Sequence, residues 1–362
     1  MNKYVLENKE VTTLLVNIIT VKMLFTYPKS MIENAGNAAW IQCVFVSLIT
    51  IAIYLIVESL YKAAGMRGLV GLAEAAGGKP LKMATGLILT VILLLHVSIT
   101  IRSFPETIKL VLLPLTPIRL VLIIFALTVS SGAFFGFNSI ARIHSLFMPI
   151  VAFVFVAFLL LLIPYMDINN IFPILSKGTL NIFAKGLESV SIYTDVIVLY
   201  IMMPFFKNRS QAHKCGLHAI VISAVVCSLI MAAYSLVYPY PASDELLLPL
   251  YQMTRLIKMG GFFQRLESVF EFVWSISMML YASLYLFVIC YVWSEAFDIK
   301  YSKYLIPPFA LILSALAYLP PSVTSLIGIY SASRAISVFI LIVIPTVLTV
   351  LFKIKNKEEG AS

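Results

Sequence analysis

Apolar residues run along this chain in continuous stretches rather than in alternation. Val151 to Ile163 reads VAFVFVAFLLLLI. Comparable stretches recur between short polar connections at 11–34, 38–60, 82–104, 117–135, 145–165, 183–204, 215–237, 266–292, 304–319 and 335–352. A helix that rises 1.5 Å per residue needs about 20 mainly apolar residues to cross about 30 Å of hydrocarbon. The pattern therefore predicts about ten transmembrane helices, and the missing period-2 alternation argues against barrel strands. The fourth and ninth stretches are the shortest, and the first is the least regular. Between the second and third, GMRGLVGLAEAAGGK (Gly65 to Lys79) predicts a short amphipathic helix from Leu69 to Ala76, stopped by Gly77 and Gly78.

Composition excludes a water-soluble alternative. Of 362 residues, 61% are hydrophobic and 12% charged, and mean hydropathy is +0.99. Soluble domains carry about a quarter charged residues, so the bilayer is the solvent for most of this chain. It reads as one transmembrane domain: a polar N-terminal segment (1–10), a ten-helix core (11–352) and a short tail (353–362). The first apolar run has no small-residue cleavage site after it and is read as a retained helix, not a signal peptide. With the N-terminus inside, fifteen of the 26 Lys and Arg residues fall in cytoplasmic segments and nine on the other side, which predicts both termini in the cytoplasm. The net charge of +9 then reflects basic loops rather than nucleic-acid binding.

The loops are too short for a folded soluble domain and hold no Walker A pattern, which argues against ATP-driven pumping. Cys43, Cys215, Cys227 and Cys290 form no CxxC pair and fall in or beside apolar runs, as buried free thiols do. His213, Cys215 and His218 lie close together but lack a fourth zinc ligand, so neither metal nor cofactor is expected. No nucleophile–base pair points to an enzyme.

Chemistry is expected where membrane helices are interrupted. Broken backbone persists at membrane depth only when it is buried in protein or lines a cavity, because its freed N–H and C=O groups need partners. In the first stretch, VKMLFTYPKSMIENAGNAAW, Pro28 is expected to remove a helix hydrogen bond, and Lys22 lies deep in the span, where a charge is costly. The sixth stretch, GLESVSIYTDVIVLYIMMP, sets Glu188, Ser189, Ser191, Tyr193, Thr194 and Asp195 ahead of an apolar run ending at Pro204. Facing helices would let Lys22 and Asp195 offset each other's desolvation. In the eighth, Glu267 and Glu271 are four apart and share a face. Either Arg265 neutralises Glu267 at the interface, or the two carboxylates share a proton. His96, in the third stretch, reads as a packing residue.

At these residues the sequence resembles the GerAB-type spore-permease family, the B subunits of nutrient germinant receptors. The resemblance runs along almost the whole chain, through TYP…ENAGNAAW (Thr26 to Trp40), LLPLTP (Leu112 to Pro117), GFNSIAR (Gly136 to Arg142), MMPFF at the end of the sixth stretch, and RLESVFEFVW (Arg265 to Trp274). It implies membership of the amino acid–polyamine–organocation superfamily, with a LeuT-like five-plus-five inverted repeat and broken helices 1 and 6. It also implies a sensor in the spore inner membrane that works with a membrane-embedded A subunit and a C-subunit lipoprotein. Many relatives carry small glycines before the proline of helix 1, whereas this chain has Val21, Lys22 and Met23. Lys22 then stands in for a coupling cation, holds an anionic group, or fills the pocket.

Two functions fit: a receptor subunit that binds an amino acid or similar nutrient, and a proton-coupled amino acid permease. In either, the ligand is expected between Leu24, Phe25, Thr26, Tyr27 and Pro28 on helix 1 and Ser189, Ser191, Tyr193 and Asp195 on helix 6. Lys22, Asp195, Glu267 and Glu271 are the candidates for ion pairing or proton coupling.

Overall fold

The computed structural model describes residues 6–24, 27–113, 115–246, 248–257, 266–300, 302–320, 338, 340 and 342–357, and among these there is no strand. In chain order the helices are α1 (Asn8–Thr20), α2 (Tyr27–Ala35), α3 (Ala39–Tyr61), α4 (Leu69–Val111), α5 (Ile118–Phe134), α6 (Phe137–Leu162), α7 (Thr179–Phe183), α8 (Ile197–Ile201), α9 (Arg209–Val237), α10 (Pro249–Leu256), α11 (Leu266–Ala296) and α12 (Ile306–Tyr318). A further helical run covers 342–357. Five described segments are long and apolar enough to cross a membrane: Tyr27–Ala64, Leu69–Lys109, Phe137–Tyr165, Arg209–Val237 and Glu267–Ala296. The chain is a multi-pass membrane protein. Its outward faces are apolar, with Leu127, Leu146, Phe153 and Leu160 all exposed, while many of its polar side chains are buried.

At the centre stands α11, packed against α4, α5, α6 and α12; α3 lies along α9, and α1 between α6 and α9. Small residues let the central helices approach closely, as they do where lipid offers no hydrophobic drive to association. A Cβ on Gly86 of α4 would collide with the Ala296 methyl of α11.

Two expected elements merge in α4. The amphipathic segment and the third span run as one helix from Leu69, interrupted at Gly77 and Gly78. Gly78 has a φ of +71°, a left-handed conformation that a side chain would strain. Lys82, just past this bend, lies 3.1 Å from Glu74 and 2.6 Å from Asp298. It holds the Asp298 carboxyl below the usual carboxylate range. Lys355 donates to the Ala75 carbonyl at 3.1 Å, so the same connector is also tied to the last helical run. The apolar run expected at 215–237 is preceded by more helix, since α9 starts at Arg209, where Asn208 caps it by accepting from the Gln211 N–H. The start of the run expected at 335–352 lies outside the described residues.

The first apolar run (11–34, helix 1 below; the sixth, 183–204, is helix 6) changes character part-way along. After Thr20 the chain tightens into a 3₁₀ turn over Val21–Leu24, and α-helix resumes at Tyr27. The sequence suggested that Pro28 cuts a helix hydrogen bond. Pro28 is the second described residue of α2, and Phe25 and Thr26 before it lie outside the described residues.

The sixth apolar run is irregular throughout. Between the short α7 and α8, 3₁₀ geometry extends over the twelve residues Lys185–Val196, although such runs rarely exceed three or four. A shorter 3₁₀ turn, Met203–Phe205, carries Pro204.

Candidate functional site

Sequence and fold bring the two irregular segments together. From the 3₁₀ turn of helix 1, the Lys22 ammonium lies 2.6 Å from Asp195 Oδ2 and donates to the Ser191 carbonyl at 3.4 Å. Lys22 and Asp195 are only 3% and 1% exposed. The other carboxylate oxygen, Oδ1, is held from the opposite side. Tyr285 of α11 donates its hydroxyl to it, and His96 Nε2 of α4 lies 3.5 Å away. One carboxylate thus joins helix 1, helix 6, α4 and α11.

The surrounding polar groups are built from the 3₁₀ backbone. Ser191 and Thr194 face the carbonyls that this geometry leaves accessible: Ser191 Oγ donates to Glu188 O at 2.5 Å, and Thr194 Oγ1 to Ser191 O at 2.8 Å. Tyr27, the first residue of α2, donates to Ser191 Oγ at 3.0 Å. Tyr193 points to the other flank, where its hydroxyl lies 2.7 Å from Ser47 Oγ of α3. Ser189 Oγ is fully buried and has no hydrogen-bond partner. On helix 1, the Trp274 indole of α11 donates to the Val21 carbonyl at 3.2 Å and packs on Phe104 of α4 with ring centroids 5.6 Å apart. One turn nearer the chain start, Asn17 donates to the Ser277 carbonyl at 3.2 Å.

Of the residues named from sequence, Lys22, Tyr27, Ser191 and Asp195 form one connected group, with Ser189 and Tyr193 buried on the same segment. Leu24 ends the 3₁₀ turn; Phe25, Thr26 and Arg265 lie outside the described residues. Glu271 is buried and Glu267 half-buried on α11. His96, Tyr285 and Trp274 were not singled out for the site, yet all three touch its frame. His96 had a usable signal, a titratable ring inside an apolar run. Tyr285 and Trp274 had none, because only the packing of α11 on helix 1 gives them partners.

The other candidates resolve differently. All four cysteines are buried and free. Cys215 donates to the Asn8 carbonyl at 3.5 Å, while His213 Nδ1 lies 3.9 Å from Glu58, itself paired with Arg209 at 2.5 Å. Among the described residues, no three His, Cys, Asp or Glu side chains are grouped to hold a metal ion. Separately, an apolar cleft of about 250 Å³ opens between α1, α6, α9 and α11, lined by Val16, Thr20, Phe155, Ile230 and Trp274 among others.

A helical bundle with irregular first and sixth apolar runs meeting over a buried charge pair is a transporter-type fold. The chain is similar in structure to a manganese transporter of Eremococcus coleocola. One mutant form superposes with a TM-score of 0.60 at 12% sequence identity, covering 94% of this chain and 85% of that one. Two other mutant forms give TM-scores of 0.54 at the same identity and coverage. No curated protein matches the chain in sequence. The model of the spore permease family, described as spore germination protein, matches residues 5–324. The chain belongs to that family.

Proposed function

We propose that this chain is the B subunit of a spore nutrient germinant receptor, lying in the spore inner membrane with both termini in the cytoplasm. Its core is ten helices arranged as a five-plus-five inverted repeat with helices 1 and 6 broken. A small nutrient, an amino acid or similar metabolite, binds at mid-depth between the Leu24 to Pro28 stretch and the Ser189 to Asp195 segment. The fully buried, unpartnered Ser189 hydroxyl and the 3₁₀ backbone around it offer polar groups that a ligand can satisfy. Binding shifts the population toward one arrangement of helices 1 and 6 against the scaffold of α4 and α11. The described residues form membrane helices and short connections, so the signal leaves through contacts with the A subunit and the C-subunit lipoprotein.

The observation that carries the receptor reading over transport is the buried Lys22–Asp195 pair, pinned by Tyr285 and His96 where a transported solute would pass. A charge tethered to the chain cannot move through with each cycle. A proton-coupled amino acid permease is the second reading, favoured by the likeness of fold to a transporter.

The two separate by turnover. Vesicles holding the purified protein and a labelled amino acid that triggers germination should bind it stoichiometrically without accumulating it. Deletion of the neighbouring subunits should abolish the germination response. Sustained uptake driven by a proton gradient would establish the permease instead.

A further inference from the structure

Four carboxylates are buried among the described residues: Glu10, Glu58, Asp195 and Glu271. Three of them meet a cation. Glu10 lies 3.6 Å from Arg142, Glu58 2.5 Å from Arg209, and Asp195 2.6 Å from Lys22. Glu271 meets none among the described residues. It is 3% exposed, and its Oε1 has no hydrogen-bond partner. A buried polar group left this way carries the full cost of its lost hydration and calls for a missing partner.

The register of α11 on helix 1 places Glu271. Asn17 pairs with the Ser277 carbonyl and the Val21 carbonyl with Trp274, so α11 runs antiparallel to helix 1. One step further, three residues back along α11 and three on along helix 1, sets Glu271 level with Leu24 at the end of the 3₁₀ turn. Glu271, Trp274, Met278 and Tyr285 recur at helical spacing, and all are buried. On this face Trp274 reaches Val21 and Tyr285 reaches Asp195. Glu271 therefore stands beside the end of the 3₁₀ turn of helix 1, about 21 Å along the α11 axis from Tyr285, which holds Asp195.

We propose that Glu271, and not Asp195, is the ammonium-recognition group of the nutrient site. Asp195 already has its counter-charge in Lys22 and a hydrogen bond from Tyr285, with His96 close by, so a ligand's ammonium would compete with an internal cation. At Glu271 the ammonium supplies the absent charge. Ligands of this class carry a primary ammonium. Analogues with a hydroxyl in its place leave the carboxylate unpaired and are rejected.

This rests on the nutrient-binding reading above, and one experiment separates the two. Thermal stabilisation of the full chain in lipid nanodiscs is measured with a panel of L-amino acids, each beside its 2-hydroxy-acid analogue, for wild type, Glu271→Gln and Glu271→Asp. Wild type should be stabilised by at least one amino acid and not by its hydroxy analogue. Glu271→Gln should bind that amino acid roughly 10- to 100-fold more weakly. Its ligand-free melting should stay at or above that of wild type, since an amide is easier to bury than a lone carboxylate, and Glu271→Asp should recover part of the affinity. Wild-type affinity in Glu271→Gln would overturn the assignment and leave nutrient binding intact. A wild type that binds none of the amino acids would overturn nutrient binding, and this assignment with it.

Discussion

Removing one member of the Lys22–Asp195 pair should cost more than removing both. The contact is 2.6 Å between groups at most 3% exposed, so neither charge has water to fall back on. Breaking a buried pair from one side typically costs about 3–5 kcal/mol, whereas replacing both members is often close to neutral. The local geometry predicts an asymmetry as well. Lys22→Met leaves Asp195 with the Tyr285 hydroxyl and with His96 at 3.5 Å. Asp195→Asn leaves the ammonium with the Ser191 carbonyl at 3.4 Å and the Tyr27 ring at 5.7 Å. Asp195→Asn should therefore be the worse of the two. Equilibrium unfolding of the four cycle members in mixed micelles would measure this. The double variant should lose less than either single one, giving a coupling of about 3 kcal/mol, against additivity within about 0.5 kcal/mol for groups that do not interact. Additive losses would refute the reasoning outright, and with it the claim that this pair blocks the path.

Tyr285→Phe removes one charge-assisted hydrogen bond and should cost about 1.5–3 kcal/mol in the same assay, less if His96 takes over the Oδ1 position. Ser191→Ala deletes the acceptor of the Tyr27 hydroxyl and should shift the nutrient dose response at a stability cost of about 1 kcal/mol. Ser191→Leu would instead overpack a fully buried position by about 1–3 kcal/mol and confuse the two effects. Gly86→Leu should reduce the amount of folded protein, read by detergent size exclusion, because α4 and α11 would be forced apart at Ala296. With all four native cysteines buried, background labelling is low: an impermeant thiol reagent applied outside should label Lys185→Cys and spare Lys207→Cys, and the reverse would invert the proposed orientation.

Much of the frame was legible because the bilayer imposes a simple rule. Continuous apolar runs named the long helices, and Gly77 and Gly78 marked the bend at which the amphipathic segment turns into the third span. Lys22 and Asp195 stood out because charge inside an apolar run is costly wherever it sits. Pro28 is harder to read, because its cost depends on whether it falls in a helix interior or a first turn, and local sequence does not distinguish the two. His96 carried a signal, a titratable ring in an apolar run, but its partner did not show, and Tyr285 and Trp274 carried none. Each depends on a partner more than eighty residues away in the chain, on a helix face whose neighbours no local pattern identifies.

A transporter and a sensor built on one fold must differ in what fills the crossing point of helices 1 and 6. In an ion-coupled transporter, a coupling charge has to arrive and leave with each cycle. Here the charge beside Asp195 is an ammonium covalently part of helix 1, so the carboxylate keeps its partner whether or not a ligand is present. On the receptor reading proposed above, no entering ion is then coupled to helix movement at this carboxylate, and ligand binding is the bias on the equilibrium. A ligand shifts such an equilibrium only through contacts that differ between the two states. On the reading proposed above, those contacts are made by two of the buried groups without a hydrogen-bond partner, Ser189 and Glu271. They lie on different elements, helix 6 and α11, so on that reading ligand contacts at either one would report movement of that element.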